Sequence, residues 1–313
     1  MSRESVEISV IVPVYDEQES LRELHAEVRA ALEGMRAAWE VVYVDDGSSD
    51  GSAEILAGLH AAEPEHVRVA RFRRNYGQTA ALAAGFELAR GRFVVTLDAD
   101  LQNDPADVPL LLAKLEEGYD IVTGWRRDRR DGFLLRRLPS IAANRLIALV
   151  TGASVHDTGC TLKAFRRELT ENLPIYAEQH RFLPVLSLAS GARLAEVVVN
   201  HRARRFGRSK YGIGRASRVL LDLLTMKMLG SFSRRPLEYF ALIALPFAVL
   251  GPLALFVTLH GAEDRPVLAV LLTCLFGLTA IDFVLLGLLA ELAVKASDVH
   301  GRNWSPLVSV SKG

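Results

Sequence analysis

Two long apolar runs near the C-terminal end constrain this chain most strongly. The first covers residues 237–259, about 23 residues in which only Glu238 is charged. An apolar helix of about 20 residues is long enough to cross the hydrocarbon core of a bilayer. The second run covers residues 267–294 and contains Asp282 and Glu291, which are costly at bilayer depth unless they face protein. The sequence therefore predicts two transmembrane helices over these two ranges, in preference to a buried helical hairpin of a soluble protein.

Charged residues around the two runs predict their orientation. Arg234 and Arg235 precede the first run, and Lys295 and Arg302 follow the second. Because positively charged flanks stay on the cytoplasmic side of a membrane, we expect both termini and the large N-terminal part in the cytoplasm. The polar residues 1–7 are unlike a secretory signal, which agrees with this orientation. The sequence thus predicts a multi-pass protein of the cell inner (plasma) membrane.

The region just before the first run has helical periodicity. Residues 213–236 contain apolar side chains at helical spacing, namely Val219, Leu220, Leu223, Leu224 and Met228. This pattern is typical of an amphipathic helix lying on a membrane surface, and equally of a core helix of the preceding domain. We assign 213–236 as a juxtamembrane region and 295–313 as a cytoplasmic tail.

Residues 1–212 alternate between strand-like and helix-like patterns. The runs rich in Val and Ile are 8–14, 41–44, 67–72, 93–97 and 121–123. The helix-patterned segments between and after them are 20–35, 52–62, 78–89, 105–117 and 139–150. Ser20 followed by Glu23 predicts a capping box at the first helix. This alternation predicts one α/β domain, 1–212, built on a mostly parallel sheet.

Composition excludes several classes of function. Lys plus Arg and Asp plus Glu are equal at 37 each, so the chain lacks the global positive field of a nucleic-acid binder. The only cysteines, Cys160 and Cys274, give neither a disulfide framework nor a zinc-finger spacing. His156, His180 and His201 show no recognisable zinc-ligand pattern either. We therefore expect no nucleic-acid partner.

Acidic residues follow three of the predicted strands, in the segments 13–17, 45–50 and 98–102. Ligands of open parallel sheets bind at the carboxyl ends of the strands, so we expect the three acidic segments to converge on one crevice. Clustered carboxylates repel one another, and a divalent cation relieves that repulsion. Each segment alone is also typical of turns and helix caps.

The segment 98–102 is the best candidate for the metal. If it is extended, alternation places Asp98 and Asp100 on the same side, with Gln102 in register. These three side chains form an all-oxygen set suited to Mg²⁺ or Mn²⁺.

Six motifs occur in a fixed order: VIVPVYDEQESL, VDDGSSDGS, RNYGQTAALAAGF, LDADLQNDP, DTGCTLKAFRR and FGRSKYG. In this combination the chain resembles family 2 glycosyltransferases of the polyprenyl-phosphate type. That group includes dolichyl-phosphate mannose synthase and the bacterial undecaprenyl-phosphate glucosyl and aminoarabinosyl transferases. The resemblance implies a GT-A-like (Rossmann-like) domain followed by an interfacial helix region and two transmembrane helices.

The resemblance also implies roles for individual residues. The nucleotide-sugar site would comprise Pro13, Tyr15, Glu17, Asp46, Asn75, Gln78, Asp98, Ala99 and Asp100. Asp98, Asp100 and Gln102 would hold the metal and the diphosphate. Asp157 would be the catalytic aspartate, and the phosphate of the acceptor would be bound by Arg204, Ser209 and Lys210.

A basic run, 126–137, offers one further acceptor residue. It is either a membrane-facing loop whose arginines meet phosphates or an ordinary solvated loop. Only Arg126, which directly follows a predicted strand, is assigned to acceptor phosphate binding.

The activity implied is inverting, metal-dependent transfer of a sugar from a nucleotide sugar to undecaprenyl or dolichyl phosphate at the cytoplasmic membrane face. UDP-sugars are favoured over GDP-mannose. Because a phosphate monoester is largely ionised at neutral pH, Asp157 is expected to orient rather than to abstract a proton.

Two alternatives stay open at this point. A processive polysaccharide or glycolipid synthase usually carries a Gln-X-X-Arg-Trp signature, and Trp39, Trp125 and Trp304 lack that context. A catalytically silent partner of a lipid-linked-sugar flippase would not need the intact acidic motifs. The charged Asp282 and Glu291 would be accommodated at a helix interface, which favours a homo-oligomer.

Overall fold

The chain divides into two compact units, residues 1–226 and 227–313. The computed structural model describes residues 6–127, 155–171, 179–203, 205, 232, 235–260 and 266–300. The predicted helix over 139–150, most of the basic run and of the juxtamembrane region, the tail beyond residue 300, and Arg204, Ser209 and Lys210 lie outside the described residues. The predicted domain boundary at residue 212 stays a prediction.

The first unit is built on a seven-stranded mixed sheet. Its strands are β1 (Ile8–Val14), β2 (Trp39–Asp45), β3 (Val67–Arg71), β4 (Phe93–Thr96), β5 (Ile121–Trp125), β6 (Lys163–Arg166) and β7 (Leu194–Val198). The strand order is β3-β2-β1-β4-β6-β5-β7. β6 runs antiparallel to both of its neighbours, and every other pairing is parallel. The prediction of a mostly parallel α/β sheet is therefore confirmed, with strand ends shifted by at most two residues.

Helices connect the strands and cover the sheet. They are α1 (Leu21–Glu33), α2 (Ser52–Ala62), α3 (Gln78–Leu88), α4 (Val108–Glu116), α5 (Arg167–Thr170) and α6 (Leu183–Ala189), with a 3₁₀ turn at Pro105–Asp107 before α4. The apolar stripe of α1 is buried in the main core beside the inner residues of β1 and β2. On the other face of the sheet, Phe86 and Phe165 form an edge-to-face pair with centroids 5.4 Å apart. The sheet is thus covered on both faces, as parallel strands require.

The start of α1 differs from the predicted capping box. Ser20 has helical backbone angles (φ −99°, ψ −25°), and its side chain does not cap the helix. Its Oγ donates instead to the carbonyl of Glu17 at 3.0 Å, while the carboxylate of Glu23 pairs with Arg205. A capping box needs an N-cap residue in an extended conformation with a side chain turned towards the helix. The prediction is wrong because the turn from Glu17 to Ser20 engages that hydroxyl first.

The second unit contains a helical hairpin, α7 (Pro236–His260) and α8 (Pro266–His300). Their most apolar windows have mean hydropathies of 2.4 and 2.2, and 11% of each window is buried. The helices are therefore long and apolar enough to span a membrane, and they are not covered as soluble core helices are. Gly287 allows close packing, since a Cβ there would lie 2.9 Å from that of Phe240. Glu291 accepts the N–H of Leu237 at 3.3 Å and pairs with Lys295.

Candidate active site

The loops after β1 and β2 are locked to each other by their acidic residues. Asp16 adopts a left-handed conformation (φ 51°) and accepts the N–H of Ser49 at 2.8 Å. Asp45, buried at the end of β2, accepts the N–H of Ser48 at 2.9 Å, and Asp50 accepts that of Gln18 at 3.1 Å. These three carboxylates therefore do the work of turns and caps. The two acidic loops meet as expected. The carboxylates of Asp16, Asp45 and Asp50, however, serve to hold these loops in the conformation that shapes the crevice.

Asp46 joins this pair of loops to the loop before α3. Its two carboxylate oxygens accept the N–H groups of Tyr76 and Gly77 at 2.7 and 2.9 Å. Gly47 beside it has φ +70°, and a Cβ there would lie 2.5 Å from the carbonyl carbon of Arg74. The two chains can approach this closely only because residue 47 is glycine. Asp46 thus fixes the segment that carries the exposed Asn75.

The other residues predicted for the nucleotide-sugar site differ in how far their side chains are buried. Pro13 lies on β1 and lines a cleft above the sheet. Tyr15 and Glu17 are half-buried in the loop after β1, and the N–H of Glu17 donates to Ser52 Oγ at 3.0 Å. Ala99 is packed in the main hydrophobic core, so only its backbone is available to a ligand.

The segment after β4 is a turn, which corrects the expected extended conformation. The strand ends at Thr96, and Leu101, a buried core residue, has φ 61°. The left-handed residue lets Leu101 fill the core while the carboxylates stay at the crevice. The N–H of Gln102 donates to Asp100 Oδ1 at 3.1 Å. Asp98 and Asp100 are brought together by this turn and not by strand alternation.

Burial and the nearby charge of Asp100 raise the pKa of Asp98 to about 6. Asp98 Oδ1 accepts a hydrogen bond from Gln78 Nε2 at 2.7 Å. Gln78 is the first residue of α3, so this contact joins the predicted donor-side residue to the predicted metal residue.

A cleft opens between these residues at the carboxyl ends of β1 and β4. Its lining residues are Pro13, Gln78, Leu82, Thr96, Leu97, Asp98, Thr161, Lys163 and Leu183. Thr161 and Lys163 were not singled out from the sequence, although both lie within the DTGCTLKAFRR motif. Their position follows from the antiparallel pairing of β6, where Lys163 is opposite Thr96.

Lys163 is a buried cation beneath the cleft. Its side chain donates to the carbonyl oxygen of Cys160. Burial lowers the pKa of Lys163 to about 8, against the opposing attraction of Asp157 and Asp98. A lysine on a short four-residue strand carries no hydrophobic pattern that would have marked it as part of the site.

Arg126 and Asp157, predicted separately as an acceptor residue and the catalytic residue, are paired. The guanidinium Nε and Nη2 donate to the two carboxylate oxygens at 2.8 and 3.0 Å, and the backbone N–H of Arg126 lies 3.3 Å from the same carboxylate. Burial opposes the charge on Arg126, but the hydrogen-bonded carboxylate of Asp157 raises the pKa of Arg126 above the usual range for arginine. Glu196 holds the loop before Asp157 by accepting the N–H of His156 at 3.0 Å. Both oxygens of Asp157 are therefore engaged by Arg126.

The donor set after β4 fits a hard divalent cation. Asp98 and Asp100 place two carboxylates close enough for one to raise the pKa of the other, and a cation would reverse that shift. Gln102 follows in the same turn, and its amide oxygen is also of the ligand type that Mg²⁺ and Mn²⁺ prefer. No group of three His, Cys, Asp or Glu side chains forms a metal site within the described residues, as is usual for ions that keep water and phosphate ligands.

The sequence profile of glycosyl transferase family 2 matches residues 9–173, from the second residue of β1 to beyond β6, and this range contains every residue of the cleft except Leu183. The chain belongs to this family. It is therefore a glycosyltransferase.

Two relatives match over nearly the whole chain. The dodecaprenyl-phosphate galacturonate synthase of Rhizobium johnstonii is 38% identical over 305 residues, covering 93% of this chain and 89% of the relative. The undecaprenyl-phosphate 4-deoxy-4-formamido-L-arabinose transferase of Shewanella sediminis is 40% identical over 302 residues, covering 94% and 89%. The resemblance to polyprenyl-phosphate transferases is thus confirmed over more than nine tenths of the chain.

Solved structures show the same fold at low identity. Glucosyl-3-phosphoglycerate synthase from Mycobacterium tuberculosis, in complex with Mn²⁺, UDP-glucose and phosphoglyceric acid, has a TM-score of 0.55 at 21% identity. The match covers 72% of this chain and 79% of that one. The glycosyltransferase is therefore GT-A-like in fold, as expected.

Proposed function

We propose that this glycosyltransferase moves a sugar from a nucleotide sugar to a polyprenyl phosphate and yields a polyprenyl-phosphate sugar. Both relatives described above carry names of enzymes that act on a polyprenyl phosphate, and the matches cover 93% and 94% of this chain. The observation that carries the proposal is the pairing of two sites in one unit. The Gln78–Asp98–Asp100 cluster suits a donor diphosphate, and the neighbouring Arg126–Asp157 pair suits a phosphate acceptor.

The reaction is a single displacement with inversion. A phosphate oxygen of the acceptor forms a bond to the anomeric carbon, and the bond from that carbon to the diphosphate oxygen breaks. The bonding electrons leave with the nucleoside diphosphate. Because the acceptor is largely a dianion at neutral pH, no proton has to be removed from the nucleophile.

Asp98, Asp100 and Gln102 would hold Mg²⁺ or Mn²⁺ together with the diphosphate. The ion supplies neutralisation of the charge that develops on the leaving group. Gln78 keeps Asp98 in place through its amide. Asp46 shapes the loop in which Asn75 faces the nucleotide, beside Tyr15 and Glu17. We favour UDP as the nucleotide, with GDP-mannose as the second choice.

Arg126 binds the acceptor phosphate in this scheme, together with Arg204, Ser209 and Lys210. Asp157 orients Arg126 by its two-point contact and does not serve as a proton acceptor. Arginine suits this role, since its planar guanidinium can engage the carboxylate on one edge and a phosphate with its remaining donors.

The hairpin α7–α8 anchors the enzyme in the inner membrane, with the catalytic unit and both termini in the cytoplasm. There the polyprenyl phosphate headgroup and the nucleotide sugar are both within reach. Asp282 is exposed on the apolar surface of α8, which favours a homo-oligomer in the membrane. A lipid-linked-sugar flippase would take the product across the bilayer.

The proposal is tested with full-length protein purified in detergent. It is incubated with undecaprenyl phosphate and, in separate reactions, UDP-galacturonate, UDP-glucose, UDP-4-deoxy-4-formamido-L-arabinose and GDP-mannose, each with Mn²⁺ or with EDTA. One donor should give a labelled lipid in Mn²⁺ and none in EDTA. A water-soluble or polymeric product would favour a processive synthase. Absence of product from all donors would overturn the proposal.

A further inference from the structure

The chain leaving β7 runs directly beside the loop after β4. The N–H of Arg202 donates to the carbonyl oxygen of Gln102 at 2.8 Å. In return, Gln102 Nε2 lies 3.5 Å from the carbonyl oxygen of Arg202. Asn103 and His201 form an antiparallel bridge next to this contact. The segment 199–203 is therefore a backbone support for the loop that ends the proposed metal site.

The side chain of Arg202 fixes the same loop to α1. Its Nη1 donates to both carboxylate oxygens of Glu27 at 2.8 and 2.7 Å. Its Nη2 lies 2.8 Å from Asp104 Oδ2, and Asn200 adds a second bond to Asp104 at 3.0 Å. One guanidinium thus spans two carboxylates, one on helix α1 and one in the loop after β4. A lysine ammonium has no such planar fork and would serve this geometry less well.

Arg205 provides an internal comparison. It pairs with Glu23, one helical turn before Glu27 on α1. The Arg205 side chain is 58% exposed, whereas that of Arg202 is 32% exposed and that of Asp104 only 14%. Both arginines pair with carboxylates on α1. Arg202 also contacts Asp104, in the loop that contains Gln102.

We propose that Arg202 is a positioning residue for the metal and diphosphate loop. Its side chain holds Asp104 against Glu27 of α1, while its backbone hydrogen-bonds to Gln102. Arg202 thereby fixes the loop that carries the Gln102 amide, and it reduces the ordering that binding would otherwise require. This inference rests on the proposed function.

The test compares Arg202→Gln with Arg205→Gln in the full-length protein in detergent. Binding of Mn²⁺ in the presence of UDP is measured by calorimetry, alongside the melting temperature and the KM for donor and acceptor. Arg202→Gln should weaken Mn²⁺ binding by about tenfold, the lower end of the effect of removing an outer-shell partner, and should raise the donor KM. Arg205→Gln should bind Mn²⁺ as the wild type does. Asp104→Asn should resemble Arg202→Gln, and Arg202→Lys should fall between.

The readouts separate this inference from the proposed function. If Arg202→Gln lowers the melting temperature but binds Mn²⁺ as tightly as Arg205→Gln does, Arg202 is only structural and the inference is overturned, while the proposed function stands. If the wild-type protein binds neither Mn²⁺ nor UDP and transfers no sugar, both the proposed function and this inference are overturned.

Discussion

Arg126 and Asp157 form a two-point ion pair in which two guanidinium nitrogens donate to both oxygens of the carboxylate, at 2.8 and 3.0 Å. The side chains are 12% and 5% exposed, so neither charge is screened by bulk water. An aspartate held in this way is a poor proton acceptor and a good anchor. In the proposed mechanism, Asp157 therefore orients Arg126, and Arg126 contacts the acceptor phosphate.

Breaking the pair should impair turnover and stability together. Asp157→Asn leaves the buried Arg126 charge uncompensated, a loss of about 3–5 kcal/mol in the free energy of unfolding. Misplacement of Arg126 should lower kcat by about 100-fold. Arg29→Gln, which removes the pairs with Glu33 and Glu63 far from the cleft, serves as the control. It should leave kcat unchanged and lower the free energy of unfolding far less than Asp157→Asn does, because exposed ion pairs contribute little to stability. Melting curves and initial rates check both effects, and full turnover of a folded Asp157→Asn protein would refute the orienting role.

Asp98→Asn should abolish the response to metal without unfolding the protein. In EDTA, the substitution removes the repulsion between Asp98 and Asp100, so the melting temperature should equal or exceed that of the wild type. Mn²⁺ with UDP should raise the melting temperature of the wild type, because a ligand at about 100 times its Kd stabilises the folded state by about 2.7 kcal/mol. That increase should be lost in Asp98→Asn. An undiminished increase would place the metal elsewhere.

Gly47→Ala should destabilise the crossing of the loop after β2 with the loop before α3. The new Cβ would lie 2.5 Å from the backbone of Arg74, at a residue with φ +70°. Strain of this kind costs about 1–3 kcal/mol, and the donor KM should rise because Asp46 and Asn75 belong to these loops.

Gly58→Ala is the matched control for Gly47. Gly58 lies within α2 with nothing near its Cβ position, and alanine there should stabilise the helix by about 0.5–1 kcal/mol. Opposite shifts of the melting temperature in the two variants are expected. A Gly47→Ala protein as stable as Gly58→Ala would show that the loops do not meet as described.

His25 should make stability depend on pH below neutrality. The ring is buried, with Tyr43 at Nδ1 and Glu63 at Nε2, at 3.0 and 3.6 Å. Burial lowers the pKa of His25 below 6.5, although Glu63 opposes the shift. The unfolded chain thus takes up the proton first as pH falls below 6.5, and the free energy of unfolding declines there.

The His25→Gln variant tests this linkage. Glutamine loses the contacts of the ring, and it does not titrate, so the stability of the variant does not fall with the protonation of residue 25. The melting temperature of the variant should therefore lie further below that of the wild type at pH 8 than at pH 5. The comparison is made in one detergent at constant ionic strength. A deficit that stays constant or grows at pH 5 would contradict the assignment.

Short-range sequence patterns were sufficient to predict most of the strands and both long apolar helices. Continuous Val and Ile runs gave β1 to β5, and two long apolar runs gave α7 and α8. β6 and β7 were missed because Lys163–Arg166 and Leu194–Val198 are short and mix charged with apolar residues. The predicted capping box failed because Ser20 is engaged by the preceding turn.

The candidate site was predictable as a set of motifs but not as a set of contacts. The three acidic turns could be placed near one crevice from the order of strands, whereas Asp157 was assigned only from the family resemblance. The partners of their side chains depend on long-range packing, as in Arg202 and Glu27, which are 175 residues apart in sequence. The antiparallel strand that brings Lys163 beneath the cleft has no sequence signal of its own.

The most direct test is the mass of the lipid product. Full-length enzyme in detergent, given undecaprenyl phosphate, Mn²⁺ and the UDP-sugar panel, should yield one lipid whose mass exceeds that of undecaprenyl phosphate by a single sugar residue. Asp98→Asn should yield none, and Arg29→Gln should match the wild type. A lipid carrying several sugars, a product formed equally in EDTA, or no lipid product from any UDP-sugar or from GDP-mannose would contradict the account.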